Sequence, residues 1–251
     1  MINLTKMNVY KLFKSKVLYI SMIFYAFLIF LITYLLNGVD DVSSDTSMTF
    51  IDTLNLSQLF TGLVVAIFTV TFITSDMSSG YIKNIGGQFA CRSNIIMSRA
   101  IALIVCTLVY TTEYFVIQII ADKIIIGNFT FGKARYFVLA FLFTWLLHFA
   151  FSMVCMMISI VIKKGGVAMA VSIILGLRMT ESLLYDSINM MVNDGDSTKF
   201  DIHDYMLIGN ISNMVQNIKD SCFGQMIAVG VIYAAVAILI SCVVFEKRDI
   251  V

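Results

Sequence analysis

The sequence predicts an all-α membrane protein with six transmembrane helices and both termini on the inner face. Three observations carry that expectation. Apolar residues fill 59% of the 251 positions and charged residues only 13%. Mean hydropathy is +0.91, well above what a soluble domain of this length sustains while keeping a polar surface. The basic residues also concentrate in alternate connections between the apolar runs. A net charge of +1 leaves no global field for nucleic acid or an acidic substrate. Of the five cysteines, Cys106, Cys155 and Cys242 fall inside apolar runs, where they are expected to pack as small hydrophobes without a disulfide framework. Proline is absent, so no helix kink is owed to that residue.

A span needs ~20 apolar residues to cross ~30 Å of hydrocarbon. The chain opens with Lys6, Lys11, Lys14 and Lys16, and Ile2, Val9 and Phe13 fall on one face of Met1–Ser15. That pattern predicts a short helix on the inner membrane surface. The first span follows at Val17–Leu36. It is too long for a signal-peptide core and Asn37-Gly38-Val39 is a poor cleavage site, so it reads as a signal anchor. The further spans are Leu56–Thr74, Ile95–Ala121, Tyr136–Ile162, Gly165–Leu184 and Phe223–Phe245.

Orientation follows from the connections. One side holds Lys6, Lys11, Lys14, Lys16, Lys83, Arg92, Arg99, Lys163, Lys164, Lys247 and Arg248; the other holds Lys123, Lys133, Arg135, Lys199 and Lys219. The side richer in lysine and arginine is the cytoplasmic one, which predicts N-in and C-in.

Several stretches imitate chemistry they do not complete. Gly127-Asn128-Phe129-Thr130-Phe131-Gly132-Lys133 fits seven places of a phosphate-binding loop, but Ala134 lacks the Mg²⁺-binding hydroxyl and no strand precedes it. Asn193–Thr198 hints at a calcium loop without its glycine or distal Glu, so it reads as a solvated acidic loop. His203 beside Asp201 and Asp204 is a single histidine, too little for a metal site. No HExxH, GxSxG or paired aspartates point to an intramembrane enzyme. Residues Leu207–Ile218 are apolar enough to form an external or re-entrant half-helix within the segment 186–222.

Two intramembrane charges stand out. Glu113 lies 14 residues past Arg99 and Arg178 lies 13 past Gly165, which puts both ~20 Å from the inner end. Ionisable groups at such depth face a partner or water. A Glu113–Arg178 pair is expected, with Glu181 as the rival partner of Arg178, and it either locks spans three and five or lines a path. His148, in mid-span four, is expected to be a hydrogen-bonded core residue.

The inner connection 75–94 is the most informative stretch. Ser75 or Asp76 offers a cap for a following turn. Tyr81, Ile82 and Ile85 among Lys83 and Asn84 suit a short amphipathic helix that touches a cytosolic protein, or else a solvated connector. The run Asp76-x3-Gly80-Tyr81-Ile82-Lys83-Asn84, followed by Arg92 and Ser98-Arg99, resembles the coupling segment of ABC-2 type permeases, the membrane subunits of ABC exporters. The tail Phe245-Glu246-Lys247-Arg248-Asp249 matches as well. Asp76 replaces the more usual Glu, and Tyr81 stands where Thr is commoner. The resemblance covers the whole chain and implies the type V exporter-like architecture.

It further implies that Asp76, Gly80, Tyr81, Ile82, Lys83, Asn84 and Arg92 dock a separate nucleotide-binding subunit, present in two copies. ATP and Mg²⁺ would be held by that partner and not by this chain. Two permease copies would surround the path in a bacterial cell membrane. The expected cargo is an amphipathic or antimicrobial peptide, including cytolysins of the phenol-soluble-modulin type, or else a small or lipid-linked molecule. The competing expectation is a stand-alone ion-coupled secondary transporter or channel using Glu113, His148 and Arg178 as a relay; no inverted repeat is visible to support it.

Overall fold

The computed structural model describes residues 2–39, 54, 60–78, 93–125, 127, 134–162, 164–177, 205–214, 218 and 222–247, and all regular structure among them is helical. In chain order the helices are α1 (Ile2–Lys14), α2 (Lys16–Val39), α3 (Thr61–Ser78), α4 (Ser93–Ile125), α5 (Ala134–Val161), α6 (Gly165–Gly176), α7 (Leu207–Ser212) and α8 (Phe223–Glu246).

Four of these are long and apolar enough to cross a membrane: α2, α4, α5 and α8. They coincide with expected spans one, three, four and six to within a few residues. Their outer faces are apolar too. On α2, Ile23 is 72% exposed, and on α8, Leu239 is 64% exposed. A belt of bare aliphatic and aromatic side chains of this size is untenable in water and suits lipid. Expected spans two and five appear as the shorter apolar helices α3 and α6. The described part of α6 has 12 residues, ~18 Å of helix, against ~30 Å of hydrocarbon.

Side-chain contacts fix the direction of each helix. Ser21 meets Tyr110, Tyr25 stacks on Tyr114 and Thr33 meets Gln118, so α2 and α4 run parallel. Phe68 meets Tyr110 and Asp76 meets Arg99, so α3 opposes α4. The Trp145 indole faces the Ile104 carbonyl and Phe137 packs on Phe115, so α5 opposes α4 as well. Phe143 stacks on Phe223, and Leu146 lies against Gly230, which sets α8 parallel to α5. Gly62 meets Gly176 and Thr74 meets Gly165, so α6 opposes α3. Thus α2, α4 and α6 run one way and α3, α5 and α8 the other. The start of α2 and the end of α8 fall at the same end of the bundle.

Helix α5 is the hub, packing on α3, α4, α6, α7 and α8. Helix α7 and the residues after it turn Leu207, Ile211, Met214 and Ile218 inward. Leu207 and Ile211 share one face of α7, which gives the described part of the expected half-helix a protein-facing side.

The α3–α6 crossing depends on missing side chains. A Cβ on Gly62 would lie 2.9 Å from the Gly176 carbonyl oxygen, and one on Gly176 would lie 2.9 Å from that of Gly62. Backbone this close is how membrane helices gain dispersion contact without a hydrophobic drive. Gly62→Ala or Gly176→Ala should cost ~1–3 kcal/mol through forced separation of the pair. Gly166→Ala, whose Cβ would meet nothing within 4 Å, should be neutral. Thermal unfolding of the purified variants in detergent checks this. Equal melting of Gly62→Ala and Gly166→Ala would sink it.

Candidate functional site

The site is built where α1, the end of α3 and the start of α4 converge. Helix α1 has two faces. Leu4, Asn8 and Leu12, spaced by four, are buried against the bundle. Ile2, Tyr10 and Phe13 are exposed. Of the expected apolar face, Ile2 and Phe13 are exposed while Val9 is half-buried against the core; the inward face went unread because Asn8 interrupts it. A break at Ser15 separates α1 from α2, and Tyr19 Oη donates to the Phe13 carbonyl across it at 2.9 Å.

Asp76 lies in the last turn of α3 and is fully buried. The expectation that Ser75 or Asp76 caps a new turn is therefore corrected: α3 runs on through Ser78. The physical reason is pairing. Arg99 Nη2 donates to Asp76 Oδ2 at 3.2 Å, and Lys11 Nζ donates to Asp76 Oδ1. Each carboxylate oxygen thus takes a cation from a different helix. Asp76 sits at the negative end of the α3 dipole and Arg99 near the positive end of the α4 dipole, so each is misplaced alone and the pair relieves both.

The two cations differ. Arg99 is 1% exposed, whereas the Lys11 side chain is 40% exposed. Partial burial, and then the neighbouring Arg99 guanidinium, hold the Lys11 ammonium below the usual lysine range. Arg99 is therefore the principal counterion of Asp76 and Lys11 a secondary one. Beside them Asn8 Nδ2 donates to Ser98 Oγ at 2.9 Å, and Ser98 Oγ donates to the Ile95 carbonyl at 2.8 Å. The result is a polar cluster that fastens α1 to the base of α4.

A second polar feature climbs α4 from this cluster. Tyr110, Tyr114, Gln118 and Asp122 recur every fourth residue and are buried. Tyr110 Oη lies 2.5 Å from Ser21 Oγ, and Tyr114 donates to the Leu54 carbonyl. Gln118 bonds Thr33 and donates to Asp122 Oδ1 at 2.8 Å. Tyr25 Oη, on α2, lies 2.5 Å from Thr61 Oγ1. Sequence reading missed this seam, though the four-residue spacing of polar groups in an apolar run was its visible signal.

The other expected residues separate as follows. Gly80, Tyr81, Ile82, Lys83, Asn84 and Arg92 lie outside the described residues, as do Arg178 and Glu181, so the pairing expected of Glu113 rests on positions not described. Glu113 is half-buried on α4, and its enclosed Oε2 has no hydrogen-bond partner among the described residues. His148 is buried on α5, with Nδ1 2.7 Å from the Thr144 carbonyl oxygen. Among the described residues Cys106, Cys155, Cys222 and Cys242 are in no disulfide.

The fold and site define an all-helical membrane protein with a buried ion cluster at one end of its bundle. Compared with family models and with curated proteins, the chain matches none.

The cluster makes a prediction about energetics. Asp76→Asn or Arg99→Gln strips a charge of its partner in a buried site and should destabilise by ~3–5 kcal/mol. The double variant Asp76→Leu/Arg99→Met removes both charges and should melt above either single variant. Lys11→Met, partly screened by solvent, should cost about 1 kcal/mol or less. Melting temperatures of the four proteins decide it; a Lys11 variant as damaged as the Arg99 variant would invert the assignment.

Proposed function

We propose that the chain is the membrane-spanning permease subunit of an ATP-driven exporter of the ABC-2 type, with six spans, N-in and C-in. The observation that carries this reading is the anchoring of the coupling-type segment. Residues 79–92 join α3 to α4 in sequence, and the Asp76–Arg99 pair ties those two helices together on either side of the segment. Lys11 adds α1 to the same knot. A push on the segment by a cytosolic ATPase would therefore move α3, α4 and α1 as one piece. The polar seam would carry that motion from α4 to α2.

The alternating directions of α2, α3, α4, α5, α6 and α8 support six spans. The lysine and arginine distribution supports placing the ion cluster at the cytoplasmic end. In this reading Asp76 holds the frame of the coupling segment, and Tyr81 with Ile82 supplies the apolar contact to the partner. Two permeases and two nucleotide-binding subunits make the working complex, and an amphipathic peptide is the favoured cargo. A second reading, an ion-coupled transporter acting alone, is favoured by the enclosed Glu113 oxygen, which has no hydrogen bond among the described residues.

The test is a pull-down with a soluble nucleotide-binding subunit of the ABC type as bait, run with a transport assay. Tyr81→Ala should weaken association by ~2 kcal/mol, as loss of an aromatic anchor does at a small interface. Gly80→Val should act similarly, and both variants should insert and melt like wild type. Glu113→Gln should leave association intact and lower transport. Wild-type association and transport by both loop variants would remove the exporter reading. Transport by the isolated chain driven by an ion gradient would establish the second.

A further inference from the structure

We infer that the groove beneath α1 is a binding site for an anionic phospholipid of the inner leaflet. A cavity of about 540 Å³ lies between α1 and the first turns of α4, lined by Ile2, Thr5, Lys6, Val9, Tyr10 and Ile101. Five of the six residues come from one side of α1, next to the face that Leu4, Asn8 and Leu12 bury against the bundle. Its walls are hydrocarbon. Lys6, the one charged residue on it, is exposed, so its methylene stem lines the groove while its ammonium reaches the rim. Ile101 stands two residues beyond Arg99, where α4 passes from the ion cluster into its apolar run. The groove therefore opens at the boundary between headgroups and acyl chains.

An apolar slot at that depth takes a chain and not water. Charge selects which lipid brings it. The first 16 residues hold four lysines and no Asp or Glu. Lys11 is engaged by Asp76, whereas Lys6, Lys14 and Lys16 are exposed. Lys14 stands over the Tyr10 ring at 5.5 Å, which keeps a second cation beside the slot. One acyl chain in the groove with its phosphate at Lys6 satisfies both the apolar walls and the positive rim. This inference rests on the membrane placement of α1 and not on the exporter reading.

The test is native mass spectrometry of the purified full chain in detergent with equimolar phosphatidylglycerol and phosphatidylcholine. Wild type should retain one phosphatidylglycerol in preference to phosphatidylcholine. Lys6→Gln, at an exposed position, should weaken that retention about fivefold, the worth of one lysine at an anionic surface. Ile101→Trp should fill the groove and abolish retention of either lipid. Equal retention of the two lipids, or phosphatidylglycerol retention unchanged in Lys6→Gln, would overturn the anionic assignment. Retention unchanged in Ile101→Trp would overturn the groove. Displacement of both lipids by a cationic amphipathic peptide at equal concentration would make the slot a cargo site and also overturn it. ATPase association is untouched by every arm, so this inference can fail while the exporter reading stands.

Discussion

A fully buried carboxylate in the last turn of a helix is an expensive group to place, and the arrangement around Asp76 follows from that cost. Desolvating an ion costs several kcal/mol even after relaxation, and the attraction of a partner offsets it only in good geometry. The geometry here demands that α3 end beside the start of α4, since Arg99 must reach one carboxylate oxygen. It also demands that α1 fold back against both, since Lys11 takes the other oxygen. The pair adds little net stability over a hydrophobic substitute. What it adds is register: one vertical setting of α3 against α4, and one position for α1.

Above the cluster, two different devices hold the helices, as expected where lipid tails remove the hydrophobic drive between spans. Helices α2 and α4 are joined by hydrogen bonds between hydroxyl and amide groups, such as Ser21 with Tyr110 and Thr33 with Gln118. Helices α3 and α6 are joined by bare backbone at Gly62 and Gly176. The first is directional and fixes rotation about the helix axis. The second is close but weakly oriented, so it tolerates sliding better. A bundle that rocks would move most easily at α3–α6 and least at α2–α4.

The lengths and centres of α2, α4, α5 and α8 were legible because hydropathy over ~20 residues needs no partner to be read. The end of α3 was not. Asp76, set among serines before a glycine, has the local look of a loop start. Only Arg99, 23 residues on, and Lys11, 65 residues back, make it a helix residue. Local reading has no access to such separations. The inward face of α1 failed for a similar reason: Asn8 breaks the apolar stripe until Ser98 supplies its bond. Arg99 was read for topology and for its place in the coupling-type run, not as a buried counterion, although it heads the large, fully buried side chains among the described residues.

The acids within the helices now divide by what surrounds them. Asp76 is engaged on both oxygens, and Asp122 accepts from Gln118. Both belong to the frame. Glu113 does not share their seam: Tyr110, Tyr114, Gln118 and Asp122 sweep one side of α4 in steps of four, and Glu113, one residue before Tyr114, turns off it by about 100°. It is half-buried with one oxygen enclosed and without a hydrogen bond among the described residues. Among the described residues that oxygen is not satisfied as a packing group. The closed seam leaves no room for a solute between α2 and α4, since its hydroxyls are in direct contact. Under either proposed transport reading, a path along α4 would avoid that seam, and Glu113, off the seam, is then the acid of α4 open to charge in transit.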